Sequence, residues 1–287
     1  MSPGFELAHL SIRILATLGL VWSIGSALYA ASLGGRSAPA DRTARRTGVV
    51  ALVAALVGLS LLAAVTLLAI GGDWAGAVDP YTVQLYLETN GISLGMRLAG
   101  LALLGVWLAQ GSRVAAVGAA VILSASFAFS GHVVSHDPRP VLQLAIGLHV
   151  IAASFWLGSL APLAAAARQD TPDIAAQLMD AFARRAATGL IVLVLAGGAL
   201  AGLLSAQWPW LWLGTDWGRG LLVKLSLVGI LIGFAALHRF LLTDRLRGGR
   251  AGAGAVLSGS ILAEAIVGIA VIAATASFAA RYSPGGV

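Results

Sequence analysis

Long apolar stretches separated by short polar segments run through the whole sequence. A helix that crosses the ~30 Å hydrocarbon core of a membrane needs about 20 consecutive, mostly apolar residues. We place such helices at roughly 8–32, 47–70, 86–110, 113–132, 140–165, 186–206, 219–242 and 256–280. Exposed backbone groups find no water inside a bilayer, so helices are expected rather than open strands. The pattern therefore predicts an all-α, polytopic transmembrane bundle of about eight helices, a single transmembrane domain over residues 1–287.

Composition and charge agree with this prediction. The chain is 59% hydrophobic and 10% charged, whereas soluble domains are about 25% charged. The formal net charge is +6, but the basic residues lie in short runs between apolar segments. That placement indicates contact with membrane lipid and not a nucleic-acid-binding face. There is no cysteine, and we find neither a phosphate-binding glycine loop with its lysine nor an HExxH helix, so we expect no enzyme.

The arginines predict an orientation. They accumulate in alternate linkers, at 33–46, 166–185 and 243–255. The opposite linkers, at 71–85, 133–139 and 207–218, hold one arginine between them. Because basic loops stay in the cytoplasm, we expect both termini on the periplasmic face of a bacterial inner membrane. Segment 207–217 also holds four of the eight tryptophans, which is typical of a segment at headgroup level.

The densest group of possible metal ligands lies between the fourth and fifth predicted helices. His132 and His136 are four residues apart, so they would share one face if the helix continued through them. Two imidazoles at that spacing can hold one metal ion, and Asp137 could orient a ring. Alternatively, His132 only caps the end of a helix. His9, near the outer end of the first helix, could join this cluster or be an ordinary interfacial histidine.

His149 falls about 14 Å along the fifth predicted helix, near the middle of the membrane. Ionisable residues at that depth are costly to bury and often functional. Met96 lies at a similar depth in the third helix, and a thioether with an imidazole would suit Cu(I). Trp156 follows His149 seven residues later on the same face. The alternatives are a helix–helix hydrogen bond for His149 and plain packing for Met96.

Other polar residues also fall inside predicted spans. We expect Arg97 to pair with a carboxylate or to line a polar cavity. Lys224 lies well inside the seventh helix. His238 and Glu264 fall in the cytoplasmic half of the last two helices, where they could form a polar pair on an exit path or simply join the helices by a hydrogen bond.

Three segments carry a resemblance to a known family. FSGHVVSH followed by LHVIAASFWLGSLAPL is similar to the copper-resistance D (CopD) family of membrane proteins. The stretch DWGRGLLVKLSLVGILIGFAALHRF and the final SGSILAEAIVGIAVI resemble the lysine and glutamate helices of that family. The resemblance covers roughly residues 86–280, with a weaker likeness around His9.

The resemblance implies an inner-membrane protein that handles copper, generally by moving it from the periplasm toward the cytoplasm. Its usual partner is a small periplasmic copper carrier of the CopC type. By position, the family's marked residues correspond to His132, His149, Trp156, Lys224 and Glu264. The chain departs from the family at His238, where asparagine is common. It has only three methionines, which favours histidine as the copper ligand.

Two other functions remain open at this stage. A b-type haem protein carrying electrons across the membrane would use His149 together with His132 or His9 as axial ligands. A copper-delivery or assembly factor would present copper to a periplasmic enzyme without transporting it.

Overall fold

The structure, a computed structural model, describes residues 3–205 and 215–281, and within these ranges it contains helices and no strand. The helices are α1 (Pro3–Ser32), α2 (Ala38–Gly71), α3 (Trp74–Ala77), α4 (Pro80–Gln110), α5 (Arg113–Ser126), α6 (Arg139–Gln169), α7 (Pro172–Ser205), α8 (Asp216–Leu237), α9 (Thr243–Arg247) and α10 (Ala253–Arg281). A π-helical turn, His238–Leu242, joins α8 to α9. In the described part, 7 helical segments are long and apolar enough to cross a membrane. The predicted all-α polytopic bundle is confirmed.

Polar side chains fix the starts of several helices. The Ser37 hydroxyl accepts a hydrogen bond from the Ala40 amide at the start of α2, and the Asp79 carboxylate accepts from Tyr81 and Thr82 at the start of α4. Ser112 and Thr215 cap α5 and α8 in the same way. These side chains satisfy backbone N–H groups that a helix leaves unpaired in its first turn. These four caps mark where α2, α4, α5 and α8 begin.

Helix α1 lies at the centre of the bundle, in contact with α2, α5, α6 and α10. Its contact with α6 is very close at Gly25 and Gly158, where a Cβ atom on either residue would overlap the backbone of the other helix. Small residues at such crossings let two backbones approach, which is how helices in lipid gain packing energy. Two groups of buried side chains flank α1, one around Leu160 and Ile261 and the other around Leu104.

The connections 33–37, 111–112, 170–171 and 248–252 lie together at one end of the bundle, which we call the basic face. The Ser37 hydroxyl donates to the Asp170 carboxylate across two of these connections. Arg113 donates to the carbonyl oxygen of Ala31 from Nε and Nη2, at 3.1 and 2.6 Å. Gly254, at the start of α10, packs against the carbonyl of Ala167 near the end of α6. The assignment of this face to the cytoplasm stays a prediction.

Several helices extend beyond the predicted bounds at the basic face. Helix α2 begins at Ala38 instead of residue 47, and α7 begins at Pro172 instead of residue 186. Most of the arginine-rich linkers predicted at 33–46 and 166–185 is therefore helical. Asp180, in the extended part of α7, binds Arg239 and Arg247 at 2.7 Å each. Here the extended part of α7 is joined by ion pairs to the π-helical turn and to α9, after the apolar run has ended.

The fourth predicted helix, 113–132, is wrong in extent. Helix α5 ends at Ser126 after 14 residues, a length of about 21 Å. Two 3-10 turns follow, Phe127–Phe129 and Gly131–Val134. Gly131, the first residue of the second turn, has a φ of +73°, a left-handed conformation that ends regular helix. The premise that His132 and His136 share one helical face fails with it, because no helix continues through them.

The tryptophan-rich segment predicted at 207–217 lies mostly outside the described residues. Of its members, Thr215 is the N-cap of α8, and Asp216 and Trp217 begin that helix.

Candidate functional site

His149 lies inside the bundle, ten residues or about 15 Å from the start of α6. Its ring faces α7. The Nδ1 atom is 3.3 Å from the carbonyl oxygen of Leu193, and because a carbonyl only accepts, Nδ1 carries the proton of this hydrogen bond. No other hydrogen bond of this ring occurs within the described ranges. The Nε2 lone pair is therefore left for a ligand.

Helix α7 provides room for the imidazole through Gly197. A Cβ atom at residue 197 would lie 3.2 Å from both Cε1 and Nδ1 of His149, which is tighter than an ordinary van der Waals contact. Leu193 and Gly197 are four residues apart, so the hydrogen-bond acceptor and the gap occupy one face of α7. Lys224 is half-buried on α8. The described contacts of the His149 ring thus come from α7.

A buried polar cluster lies nearer the basic face. The Trp156 Nε1 atom donates to Oε1 of Glu264 at 2.7 Å, and Nδ1 of His238 lies 3.2 Å from the other carboxylate oxygen. The second ring nitrogen of His238, Nε2, is 2.9 Å from the Ser260 hydroxyl. Glu264 is 1% exposed. We call these four residues the Glu264 cluster; it joins α6, the end of α8 and α10.

The π-helical turn begins within the Glu264 cluster. His238 opens that turn, and Thr243, the residue that follows it, donates from its hydroxyl to the His238 carbonyl at 2.8 Å. Such turns are rare and often occur at functional sites in helices. Here the turn accompanies a histidine whose two nitrogens both have partners. His238 is therefore held by protein groups on both sides, unlike His149.

Helix α6 links the two sites. His149 and Trp156 are seven residues apart, which places them on one face at depths that differ by about 10 Å. The same face meets α7 and α10. Polar side chains therefore follow one side of α6 from mid-membrane toward the basic face.

Met96 and Arg97 belong to a different part of the bundle. The Arg97 guanidinium donates from Nη2 to the Ser130 hydroxyl at 3.1 Å, and its central carbon lies 5.6 Å from the centre of the Phe127 ring. Among the described residues it thus contacts a hydroxyl and an aromatic ring and no carboxylate; of the two expected roles, the pairing with a carboxylate is not seen there. Helix α4, which carries both residues, packs mainly against α5 and α2, whereas the His149 ring faces α7. The structure does not bring Met96 and His149 together.

His132 and His136 lie in the chain between α5 and α6, whereas His9 lies in α1. His132 is part of the 3-10 turn Gly131–Val134, but its side chain lies outside the described part of the structure. His136 is half-buried, with Nδ1 3.3 Å from the Ser135 hydroxyl. His9 is half-buried in α1, one turn before Arg13. Within the described side chains, no group of three or more His, Cys, Asp or Glu is placed to hold a metal ion.

The sequence analysis did not predict three residues of these sites. Ser260 lies four residues before Glu264 on one face of α10, so its spacing offered a signal. Leu193 contributes a backbone carbonyl, for which a sequence gives no signal. Gly197 was one glycine among 36, and only the contact with His149 distinguishes it.

Comparison with known proteins gives two family matches. A family described as copper resistance protein D-like, N-terminal domain, matches residues 5–140, and one described as copper resistance protein D matches residues 176–278. The first match begins well before the region where the sequence motifs suggested the resemblance. No solved structure shows significant similarity to the chain.

One curated relative is the copper transport protein CutJ of Bacillus subtilis (strain 168). It is 31% identical over 230 residues, which cover 75% of this chain and 41% of that protein. The chain therefore spans less than half the length of this relative. The two family matches together extend from α1 to α10. The resemblance drawn from the histidine, lysine and glutamate motifs is confirmed: the chain is a multi-pass membrane protein of the copper resistance protein D (CopD) family.

Proposed function

We propose that the protein moves copper across the bacterial inner membrane, from the periplasm toward the cytoplasm, along a path that passes His149. His132 and His136 capture the ion at the outer face, and both termini lie on that side. A periplasmic carrier of the CopC type is the proposed donor. The family and the name of the relative from Bacillus support copper as the transported ion.

The single observation that carries this proposal is the hydrogen bond from His149 Nδ1 to the Leu193 carbonyl. Histidines that bind metals usually donate their other ring N–H to a carbonyl or carboxylate, which fixes the tautomer and the ring orientation. Imidazole is a suitable ligand for copper. A ring held in this way near the middle of the membrane, with Nε2 available, is suited to receive an ion and pass it on.

Met96 has a smaller part in this proposal than the sequence suggested. It lies on a helix that packs away from the His149 ring, so His149 would receive copper from the outer histidines without a thioether beside it. With both of its nitrogens bonded, His238 is proposed to position Glu264 and not to bind the ion.

Copper accumulation in cells, measured against external copper, tests the proposal. His149→Ala should abolish accumulation at every copper concentration, because the described structure gives no other ligand at its depth on that face of α6. His132→Ala and His136→Ala should reduce accumulation mainly at low copper, as expected for loss of a capture site. The amount of each variant in the membrane is measured in parallel. Normal transport by a correctly inserted His149→Ala variant would show that the ring only packs.

Two neighbouring glycines provide a matched pair for the same assay. Gly197→Ala pushes a methyl group against the His149 ring, whereas a Cβ atom on Gly198 meets nothing within 4 Å. We expect Gly197→Ala to lower copper accumulation severalfold and Gly198→Ala to leave it unchanged. Equal effects of the two changes would argue against a precise His149 geometry.

The absorbance of the purified protein separates copper transport from the haem alternative. Protein that binds copper without a Soret band supports the proposal. A Soret band that disappears in the His149→Ala variant would instead establish a b-type haem with His149 as an axial ligand.

A further inference from the structure

A cavity of about 290 Å³ opens at the basic face, between the end of α1, the start of α2 and the turn from α4 to α5. Its charged lining residues are Asp41, Arg45 and Arg113. Trp107 and Tyr29 contribute aromatic rings. None of these five residues belongs to the copper path proposed above. The cavity therefore requires its own explanation.

The charge of the lining favours an anion. The Asp41 carboxylate already accepts a hydrogen bond from the Gly35 amide at 2.9 Å. Arg113 uses Nε and Nη2 on the Ala31 carbonyl, which leaves Nη1 for a ligand. Arg45 is exposed and has no ion pair with any described residue. Two guanidinium groups face one carboxylate, and guanidinium groups bind phosphate oxygens in a well-defined geometry.

The Tyr29 hydroxyl provides independent support. This side chain is 0% exposed, and its hydroxyl makes no well-formed hydrogen bond, although Asp41 lies close enough to interact with it. A buried hydroxyl without a good partner is costly. Because Tyr29 lines the cavity, a bound oxygen atom there would complete its hydrogen bonding.

The surface beside the cavity indicates a lipid as the source of the anion. Arg45, Val49 and Val53 follow one another at four-residue spacing, so they share one face of α2. Val49 and Val53 are 49% and 54% exposed, on the part of α2 that enters the membrane. A phosphate at Arg45 would thus have an apolar track below it for an acyl chain. Trp107 lies at the same level, where tryptophan is favoured near headgroups.

We propose that this cavity binds the phosphate group of an anionic membrane phospholipid, with Arg45 and Arg113 as the phosphate-binding residues. Basic pockets between membrane helices at the cytoplasmic side are known places for such headgroups. The lipid would join α1, α2 and the α4–α5 turn at one point. The site is independent of copper, so neither its presence nor its absence depends on the proposed transport.

Binding of lipid to the purified full-length chain tests this proposal. Phosphatidylglycerol, phosphatidylcholine and inorganic phosphate are each added to protein in detergent. Bound lipid is counted by native mass spectrometry, and the midpoint of thermal unfolding is recorded. Phosphatidylglycerol should remain bound and raise the midpoint, whereas the other two should have little effect. If inorganic phosphate raises the midpoint as much as the lipid does, the site is one for free anions and the proposal is wrong.

Adjacent arginines supply the matched variants. Arg45→Gln should weaken phosphatidylglycerol binding about fivefold, the effect of one basic residue near an anionic headgroup. Arg46→Gln removes the same charge from an exposed residue that does not line the cavity, and it should bind like the unchanged protein. Both variants keep the bond from Arg113 to Ala31, so both should fold. If both substitutions weaken phosphatidylglycerol binding equally, general surface charge explains the effect and the proposal is wrong.

Discussion

At the scale of single residues, Glu264 shows how the bundle accommodates a carboxyl group at 1% exposure. A charged or polar group in lipid is tolerated only when other groups satisfy it. Here each carboxylate oxygen has its own partner, Trp156 on one side and His238 on the other. The cluster spans three helices that are far apart in the sequence, so it contributes to how they assemble.

Replacing Glu264 should therefore destabilise the protein in a graded way. Glu264→Ala leaves the Trp156 N–H and the His238 ring without their partner, and we expect a loss of about 2–4 kcal/mol in the free energy of unfolding. Glu264→Gln keeps an acceptor for Trp156 and should lose less than half of that. Thermal unfolding in detergent, followed by tryptophan fluorescence, measures both. Equal stability of the Ala and Gln variants would mean that the hydrogen bonds contribute nothing measurable.

The identity of a residue does not by itself determine the role of a histidine inside the bundle. His149 and His238 both fall inside predicted spans; the sequence offered a metal or a helix–helix hydrogen bond for His149, and a polar pair with Glu264 or a helix–helix hydrogen bond for His238. What separates them is the number of ring nitrogens bonded to residues that the structure describes, one in His149 and two in His238. That number depends on Leu193, Glu264 and Ser260, which are 44, 26 and 22 residues away. Only the folded structure brings these partners together.

At the scale of helices, the crossing of α1 and α6 gives a sharp prediction. Gly158→Ala would place a methyl group into the backbone of α1 at Gly25, and such overpacking typically costs about 1–3 kcal/mol. Gly147→Ala lies in the same helix, where a Cβ atom meets nothing within 4 Å. It should be neutral or stabilising, because alanine is the better helix former.

The yield of monodisperse protein and its unfolding temperature in detergent compare the two variants. Gly158→Ala should lower both, and Gly147→Ala should lower neither. If both variants match the unchanged protein, α1 and α6 have room to separate and the close crossing is not required.

The helices also show where the sequence was a sufficient guide. Apolar runs located the interior of seven spans, because a run of that length in lipid can only be helical. The ends were missed at the basic face, since α2 and α7 continue through charged residues, where hydropathy no longer indicates a spanning helix. The length of α5 was overestimated. The apolar run continues to Phe129, so hydropathy gives no sign of the change from α-helix to 3-10 turns. Hydropathy reports solvent preference and does not report backbone conformation.

At the scale of the whole molecule, the arginine asymmetry predicts the orientation. Reporter domains fused into 170–171 or 248–252 should behave as cytoplasmic, and a reporter fused in the connection between α2 and α4, near Val78, as periplasmic. The basis is that the arginine-rich segments gather at one end of the bundle. Activity of a periplasmic reporter at 170–171 or 248–252 would reverse the assignment of the basic face and the proposed direction of copper movement with it.

The extension of helices past the apolar runs at the basic face has a practical consequence. A protein of 29.1 kDa that is almost wholly enclosed by detergent offers little contrast for aligning particle images in electron microscopy. The helical column that ends at Arg247 and the start of α10 at Ala253 emerge side by side, separated by residues 248–252. A soluble two-helix insert that replaces those five residues would continue both helices without a hinge. Its rigid mass outside the micelle would supply the feature by which particle images are aligned.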